Sequence, residues 1–331
     1  MSTVMHRLIA RLSSGFVLAF HDILPQRLSE LVDSMQPAQA IPLAELVDRS
    51  KRGACTSGLF AITVDDGVGE TVKSLSQLFQ ARGWPGTFYL STDYIESGQG
   101  MGFQLWREIL PLLPLRKPEL KSGAIDLSTP GAVQKLSKKM ERSWHSQRPE
   151  AYLPLTLELA DIALRENELT AEAIRPPEPI TWPEVAELSR NELIRFESHG
   201  VSHAAMSALT SEELIFEMKH SRDLVSLHTG RACRHLAYPF GSELSIGART
   251  SAIARQYYDS AVTMTLGHVD SANLWLLPRI PLYPKTSPWL ANAKILLKCS
   301  GRRFGGVPRR GNAGQLPVES GPASAAGRSA I

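Results

Sequence analysis

Leu59-Phe60-Ala61-Ile62-Thr63-Val64-Asp65-Asp66-Gly67 is an apolar run that stops on two carboxylates and a glycine. A run of this length, rich in β-branched and aromatic residues, predicts a buried strand that ends where the acids begin. Acids at the C-terminal end of a strand occupy the edge where α/β proteins place their chemistry. A second segment has the same form: Ile194-Arg195-Phe196-Glu197 predicts a short strand, and His199-Gly200-Val201-Ser202-His203 follows it. Two carboxylates and two imidazoles are thus available at strand ends to build one hydrolytic metal site.

Outward from these segments the pattern is a βαβ rhythm, which favours a parallel sheet or barrel. Phe16-Val17-Leu18-Ala19-Phe20 predicts a first strand ending at His21-Asp22, and Val72 to Arg82 predicts a helix with Leu75, Leu78 and Phe79 on one face. Gly86 to Leu90 predicts the next strand. From about residue 95 to 180 the rhythm gives way to a helical insertion, with helices expected at 106–113, 133–144 and 155–169 and a break at Arg175-Pro176-Pro177. Such an insertion serves either as a substrate-binding wall or as a packing elaboration. The rhythm resumes with two capping-box spacings, Thr181/Glu184 and Thr210/Glu213, the second opening a helix that Gly230 can end. Strands are expected at 235–238, 260–264 and 274–277, and Ser287-Pro288 opens a last helix through Lys298. The organisation is then one domain over 1–300 and a flexible, basic Gly/Pro-rich tail over 301–331, whose seven glycines and three prolines cannot repay ordering entropy.

At 331 residues and 43% hydrophobic content the chain can bury a full α/β core. Its net charge of +3 comes from the tail, where five arginines face one glutamate, which leaves about −1 on the rest. Nucleic acid is therefore not an expected partner. Cys55, Cys233 and Cys299 are too few and scattered for a disulfide framework, and without a CxxC pair they do not suggest a thiolate zinc site. The N-terminus has no apolar stretch long enough for a signal peptide or a membrane span, so cytoplasmic residence is expected. The last helix carries Leu290, Ile295, Leu296 and Leu297 beside Lys294 and Lys298, a combination suited to peripheral contact with an anionic membrane surface.

The HxxxH spacing of His199 and His203 predicts two imidazoles on one side of a helical turn, within reach of one divalent ion, and Asp66 supplies a third ligand. A carboxylate with two imidazoles leaves positions open for water and substrate, the pattern of a catalytic site. Adjacent carboxylates cannot point the same way from extended backbone. A division of labour follows, one for metal and one for protons, with Gly67 giving the turn its freedom.

Thr63-Val64-Asp65-Asp66-Gly67, His199-Gly200-Val201-Ser202-His203 and Ala237-Tyr238-Pro239-Phe240-Gly241, in this order, resemble the motifs of the polysaccharide deacetylases, the carbohydrate esterases that share the NodB homology domain. The likeness spans roughly residues 14–285. It implies a distorted (β/α) barrel of about seven repeats and metal-dependent removal of N-acetyl or O-acetyl groups from a saccharide, as in exopolysaccharide or envelope glycan synthesis. It makes Asp66, His199 and His203 the metal ligands, Asp65 the general base and the backbone N–H of Tyr238 the oxyanion donor. Zinc is the expected ion, and cobalt, nickel, manganese or iron suit the same donors. Two departures from the family pattern stand out. The late segment Trp275 to Pro284 lacks the histidine that protonates the leaving amine, and His21 is expected to replace it, because a closed barrel makes the first and last strands neighbours. That arrangement resembles a subgroup with the histidine motif moved to the front. The arginine that orients the base is absent at Ala237, and Arg279 is expected to reach Asp65 from another barrel position. His6, His145, His220, His228, His235 and His268 lack a comparable context. Alternative readings are a catalytically silent carbohydrate-binding relative, or an amide hydrolase acting on a small cyclic ureide or imide; the long insertion favours the larger saccharide.

Overall fold

The apolar runs become strands in the order β1 (Phe16–Phe20), β2 (Gln39–Ala40), β3 (Leu59–Val64), β4 (Gly86–Leu90), β5 (Glu119–Leu120), β6 (Gly123–Ala124), β7 (Ile194–Ser198), β8 (His235–Ala237), β9 (Ser260–Val262) and β10 (Ile280–Pro281). The computed structural model describes residues 8–9, 12, 14–121, 123–269 and 271–299; the expected tail at 301–331 lies outside the described residues. The main sheet runs β10-β1-β3-β4-β7-β8-β9, with β2 against the start of β3, and every pairing in it is parallel. The segment 277–281 closes the circle. Leu277 N–H donates to Ala261 O at 2.9 Å and Arg279 N–H to Thr265 O at 3.0 Å, and then Ile280 and Pro281 pair with Leu18 and Ala19 of β1. First and last strands are therefore neighbours, and the fold is the expected distorted (β/α) barrel.

Alternation along each strand divides the core into two layers. Phe60, Ile62 and Val64 of β3 face the helices, where Phe16 stacks on Phe60 at 5.4 Å, while Ala61 faces the interior with Val17, Tyr89, Ala237 and Val262. Apart from Tyr89, the inward strand residues named here are small, as suits a narrow barrel, and each fully buried Phe contributes roughly 1.5–3 kcal/mol. The helix Gly69–Arg82 buries Val72, Leu75 and Phe79 on the outer layer. Both capping boxes form: Thr181 N–H donates to Glu184 Oε2 at 2.9 Å and Thr210 N–H to Glu213 Oε2 at 2.7 Å, and Gly230 ends the helix Ser211–Thr229 at φ 65°.

Two element expectations change. The helix expected at 155–169 runs over Pro149–Glu166 and passes through Pro154. Proline is at home at the first helical position, and burial of Tyr152, Thr156 and Leu159 offsets the bond that Pro154 removes. The strand expected at 274–277 is instead part of the 3₁₀ segment Ser271–Leu276 followed by Leu277, with the strand displaced to Ile280–Pro281. Leu274 and Leu277 are three apart and enter the same interior core, which suits a tight helical turn better than a two-residue alternation.

The insertion has its own core of Trp106, Ile109, Leu136, Met140, Tyr152 and Leu159, built by the helices Gly102–Ile109, Ala132–Ser146 and Pro149–Glu166. The last helix, Pro288–Cys299, buries Ala291, Ile295 and Cys299 and leaves Trp289, Leu290 and Leu297 exposed. Ile295 thus belongs to the core and not to an outward face. Among the described residues no helix is long and apolar enough to cross a membrane.

Candidate active site

Parallel strands deliver their C-terminal ends to one edge, so His21 after β1, Asp65 and Asp66 after β3, and His199 after β7 arrive together. Asp66 takes a left-handed conformation, φ 78°, and Gly67 follows at φ 86°. This turn separates the two carboxylates, sending Asp66 to the histidines and Asp65 to Arg279.

Asp66 Oδ1 lies 3.6 Å from His199 Nε2 and 3.5 Å from His203 Nε2, and the candidate ligand atoms all lie within 4.8 Å of one another. All three residues are buried, and Asp66 Oδ1 has no hydrogen-bond partner. An orphaned buried carboxylate oxygen is costly unless something occupies the space before it. His199 Nδ1 donates to Ala237 O at 2.8 Å, which fixes the tautomer and leaves Nε2 as a lone-pair donor. Burial raises the Asp66 carboxyl, but the two imidazoles outweigh it and hold it well below the usual range; burial pushes His203 down, toward the neutral form a ligand requires. The donor set fits a divalent cation. The histidines do not share a helical turn, however: they bracket a loop, with Gly200 at φ 80° and His203 at φ 55°.

Asp65 is gripped by Arg279 through two parallel bonds, Nη1 to Oδ1 at 2.7 Å and Nη2 to Oδ2 at 2.6 Å. Arg279 is fully buried, with Nε donating to Thr263 O at 2.9 Å and the Tyr89 ring 5.8 Å away. Burial alone would raise the Asp65 carboxyl, yet the charges of Arg279, His199 and His21 hold it below its ordinary value. His21 Nε2 stands 3.7 Å from Asp65 Oδ2 with its side chain 30% exposed. Arg279 and His21 thus both meet Asp65 from the strands that the barrel makes neighbours.

The loop after β8 corrects one expectation. Tyr238 N–H donates to Val262 O at 3.2 Å, continuing the ladder to β9, and its hydroxyl donates to Trp275 O at 2.8 Å. Its amide is therefore spent on the sheet. Gly241 N–H donates to Pro239 O and Ser242 N–H to Ser245 Oγ, so among the described residues the unpartnered amide of this loop is that of Phe240, at φ 59°. The Phe240 ring meets His203 edge-on at 4.6 Å. The insertion reaches the same place. Phe103 lies 5.0 Å from the His203 ring, and the His145 ring is tilted against Phe240 at 4.8 Å while its Nδ1 is 3.1 Å from Ser242 Oγ. Beside His203 opens a cavity of about 220 Å³ lined by Tyr94, Phe103, Tyr152 and Asp93.

Residues 53–258 match the family described as polysaccharide deacetylase. The chain belongs to that family. Polysaccharide deacetylases are hydrolases of acetyl groups on polysaccharides, and the amide-bond class of this enzyme follows from membership. No curated protein matches the sequence. Among solved structures, a Streptococcus pyogenes deacetylase, PplD, in complex with acetate aligns at a TM-score of 0.55 and 15% identity, covering 85% of this chain and 98% of that one. IcaB from Ammonifex degensii aligns at 0.52 and 13%, covering 86% and 97%, and the BpsB deacetylase domain from Bordetella bronchiseptica at 0.52 and 14%, covering 82% and 96%. At such identities these likenesses support the fold alone.

Three residues at or behind the candidate site carry no sequence signal strong enough to find them. His145 sits inside a helix of the insertion, with no strand end beside it to mark it. Phe240 is one position further along the third motif than Tyr238, and only the ladder bond of Tyr238 tells the two amides apart. Glu217 lies on the next α-helix, 16 residues after Val201, and nothing local in the sequence marks that its carboxylate turns back under the loop.

Proposed function

We propose that the protein is a metal-dependent deacetylase that removes N-acetyl groups from a polysaccharide of the exopolysaccharide or envelope glycan class. The observation that carries this reading is the buried Asp66, with an unpartnered oxygen between His199 and His203, next to an Asp65 clamped by Arg279. Asp66, His199 and His203 would hold the ion, zinc by donor preference, which when bound polarises an acetyl carbonyl and brings the pKa of water to about 7.

The chain's own residues divide the remaining work. Asp65, kept anionic by Arg279, accepts the proton of the attacking water. Arg279 fixes the carboxylate plane, because both of its Nη atoms are committed to Asp65. As the water oxygen bonds to the acetyl carbon, the amide N–H of Phe240 supplies a hydrogen bond to the oxyanion. His21, close to Asp65 and partly exposed, gives a proton to the sugar nitrogen as the C–N bond breaks, and acetate and an amino sugar leave. The Phe103 and His145 wall and the neighbouring cavity offer surface for sugar rings, which supports a saccharide over a small cyclic amide. The deacetylase names of the matched structures and the polysaccharide substrate of the family point the same way.

Acetate release from N-acetylated oligosaccharides, assayed with and without added zinc, tests the proposal. Zinc-dependent release that Asp65→Asn lowers by about 10²–10⁴-fold is expected. Zinc binding with no release from any substrate would favour a carbohydrate-binding role instead.

A further inference from the structure

The two candidate metal ligands contributed by β7 and its loop are separated by Gly200, Val201 and Ser202; the Gly200 N–H donates to Ser198 Oγ at 3.2 Å, and a side chain of the following helix holds the other two residues from beneath. Glu217, on the helix Ser211–Thr229 and 6% exposed, accepts the Val201 N–H on Oε2 at 2.6 Å. The same carboxylate accepts the Ser202 N–H at 3.1 Å on Oε2 and the Ser202 hydroxyl at 2.5 Å on Oε1. Both free amides between the two histidines are therefore spent on Glu217. The carbonyls of Gly200 and Val201 accept from Thr92 and Asp93 N–H groups at 3.2 and 3.0 Å, so the loop is fixed on its other side by backbone. Gly200 makes the close approach feasible: a Cβ there would stand 3.0 Å from Glu217 Oε2, at a φ of 80° that side chains resist.

Burying a carboxylate is expensive, and among the described residues no cation forms an ion pair with Glu217, whose hydrogen bonds go to this loop. A helix residue that accepts from two successive amides acts as an N–H trap. It gives the loop one conformation, including the left-handed His203 that turns its imidazole back toward Asp66. We propose that Glu217 is the positioning residue of the metal site, setting the separation of His199 and His203 before an ion enters. This rests on the reading of Asp66, His199 and His203 as ligands. Gln cannot substitute, because its single oxygen replaces two and its NH₂ would face the donors of the loop.

The test is zinc affinity of the purified full chain, measured by competition with a chromophoric chelator, for the parent, Glu217→Gln and Ser202→Ala, with thermal unfolding of each metal-free protein alongside. Glu217→Gln is expected to weaken zinc binding by about 10–100-fold, the range found when residues behind metal ligands are lost. Ser202→Ala, which removes one of the donors, should weaken it by a smaller factor. Activity of Glu217→Gln should return at saturating zinc with the saccharide KM unchanged. A folded Glu217→Gln with parental zinc affinity would overturn the proposal; if that variant does not fold, parental affinity in Ser202→Ala overturns it. A parent protein that binds no zinc would instead remove the ligand reading on which the proposal stands, so the two failures are distinguishable.

Discussion

Arg279 decides how Asp65 behaves. Its two bonds and full burial mean that removing it leaves a buried carboxylate uncompensated, at a cost of about 3–5 kcal/mol. The Asp65 carboxyl lies below its unfolded value, so its contribution to stability is present above about pH 4 and is lost as pH falls through the folded value. Without Arg279, burial raises the group, and the acid limb of the kcat/KM profile should move to higher pH. Arg279→Met, profiled from pH 4 to 9, is expected to show that displacement with turnover lowered about 100-fold; unchanged turnover and an unmoved limb would show that the clamp does not act on the base. The sequence carried this contact indirectly. Once Ala237 failed to supply an arginine and the barrel required its ends to meet, Arg279, two residues after the strand expected at 274–277, was the available cation; it directly precedes Ile280, the partner of Leu18, and its side chain reaches Asp65. The same reasoning could not separate the amides of Tyr238 and Phe240, because that choice depends on one ladder bond to β9.

At the level of elements, strands with both faces buried were legible as apolar runs and helix starts as capping spacings, because each signal is local. The segment 274–277 was not legible, since its apolar run suits either a strand or a turn and only the interior core chooses. The helix Ser211–Thr229 shows how much rests on one such start. Glu213 accepts the Thr210 N–H at 2.7 Å and takes both Nη atoms of Arg148 at 2.6 Å, so the cap also anchors the insertion to the helix that bears Glu217. Thr210→Ala should lower unfolding stability by about 1 kcal/mol in urea titration. Glu213→Ala removes cap and anchor together and is expected to cost more; equal costs for the two variants would show that the exposed Arg148 pair contributes nothing.

Across the whole molecule, buried titratable groups also occur outside the candidate site. Below the site lie Glu197, pushed up to about 7 by burial despite accepting the amides of Arg234 and His235, and His235, pushed down to about 3 by burial and by Arg234. Their linkages oppose. Glu197 gives a stability that falls as pH rises from its unfolded value toward 7, because the folded state holds the proton; His235 gives one that rises from pH 3 to 6.5, because the unfolded state does. Glu197→Gln should therefore make stability rise by about 2–3 kcal/mol between pH 4.5 and 6.5, and His235→Asn should make it fall, as read by urea titration at each pH. Equal slopes in the two variants would contradict the burial argument. The candidate site lies at the C-terminal edge of the sheet, where a candidate donor set, the clamped Asp65 and a partly exposed histidine converge. The most direct test of the proposed function is acetate release from an N-acetylated oligosaccharide by the chelator-treated protein before and after one equivalent of zinc, with Asp66→Ala in parallel. Release that appears with zinc in the parent and stays absent in Asp66→Ala is the predicted result, and equal release by the chelator-treated and zinc-loaded parent would contradict it.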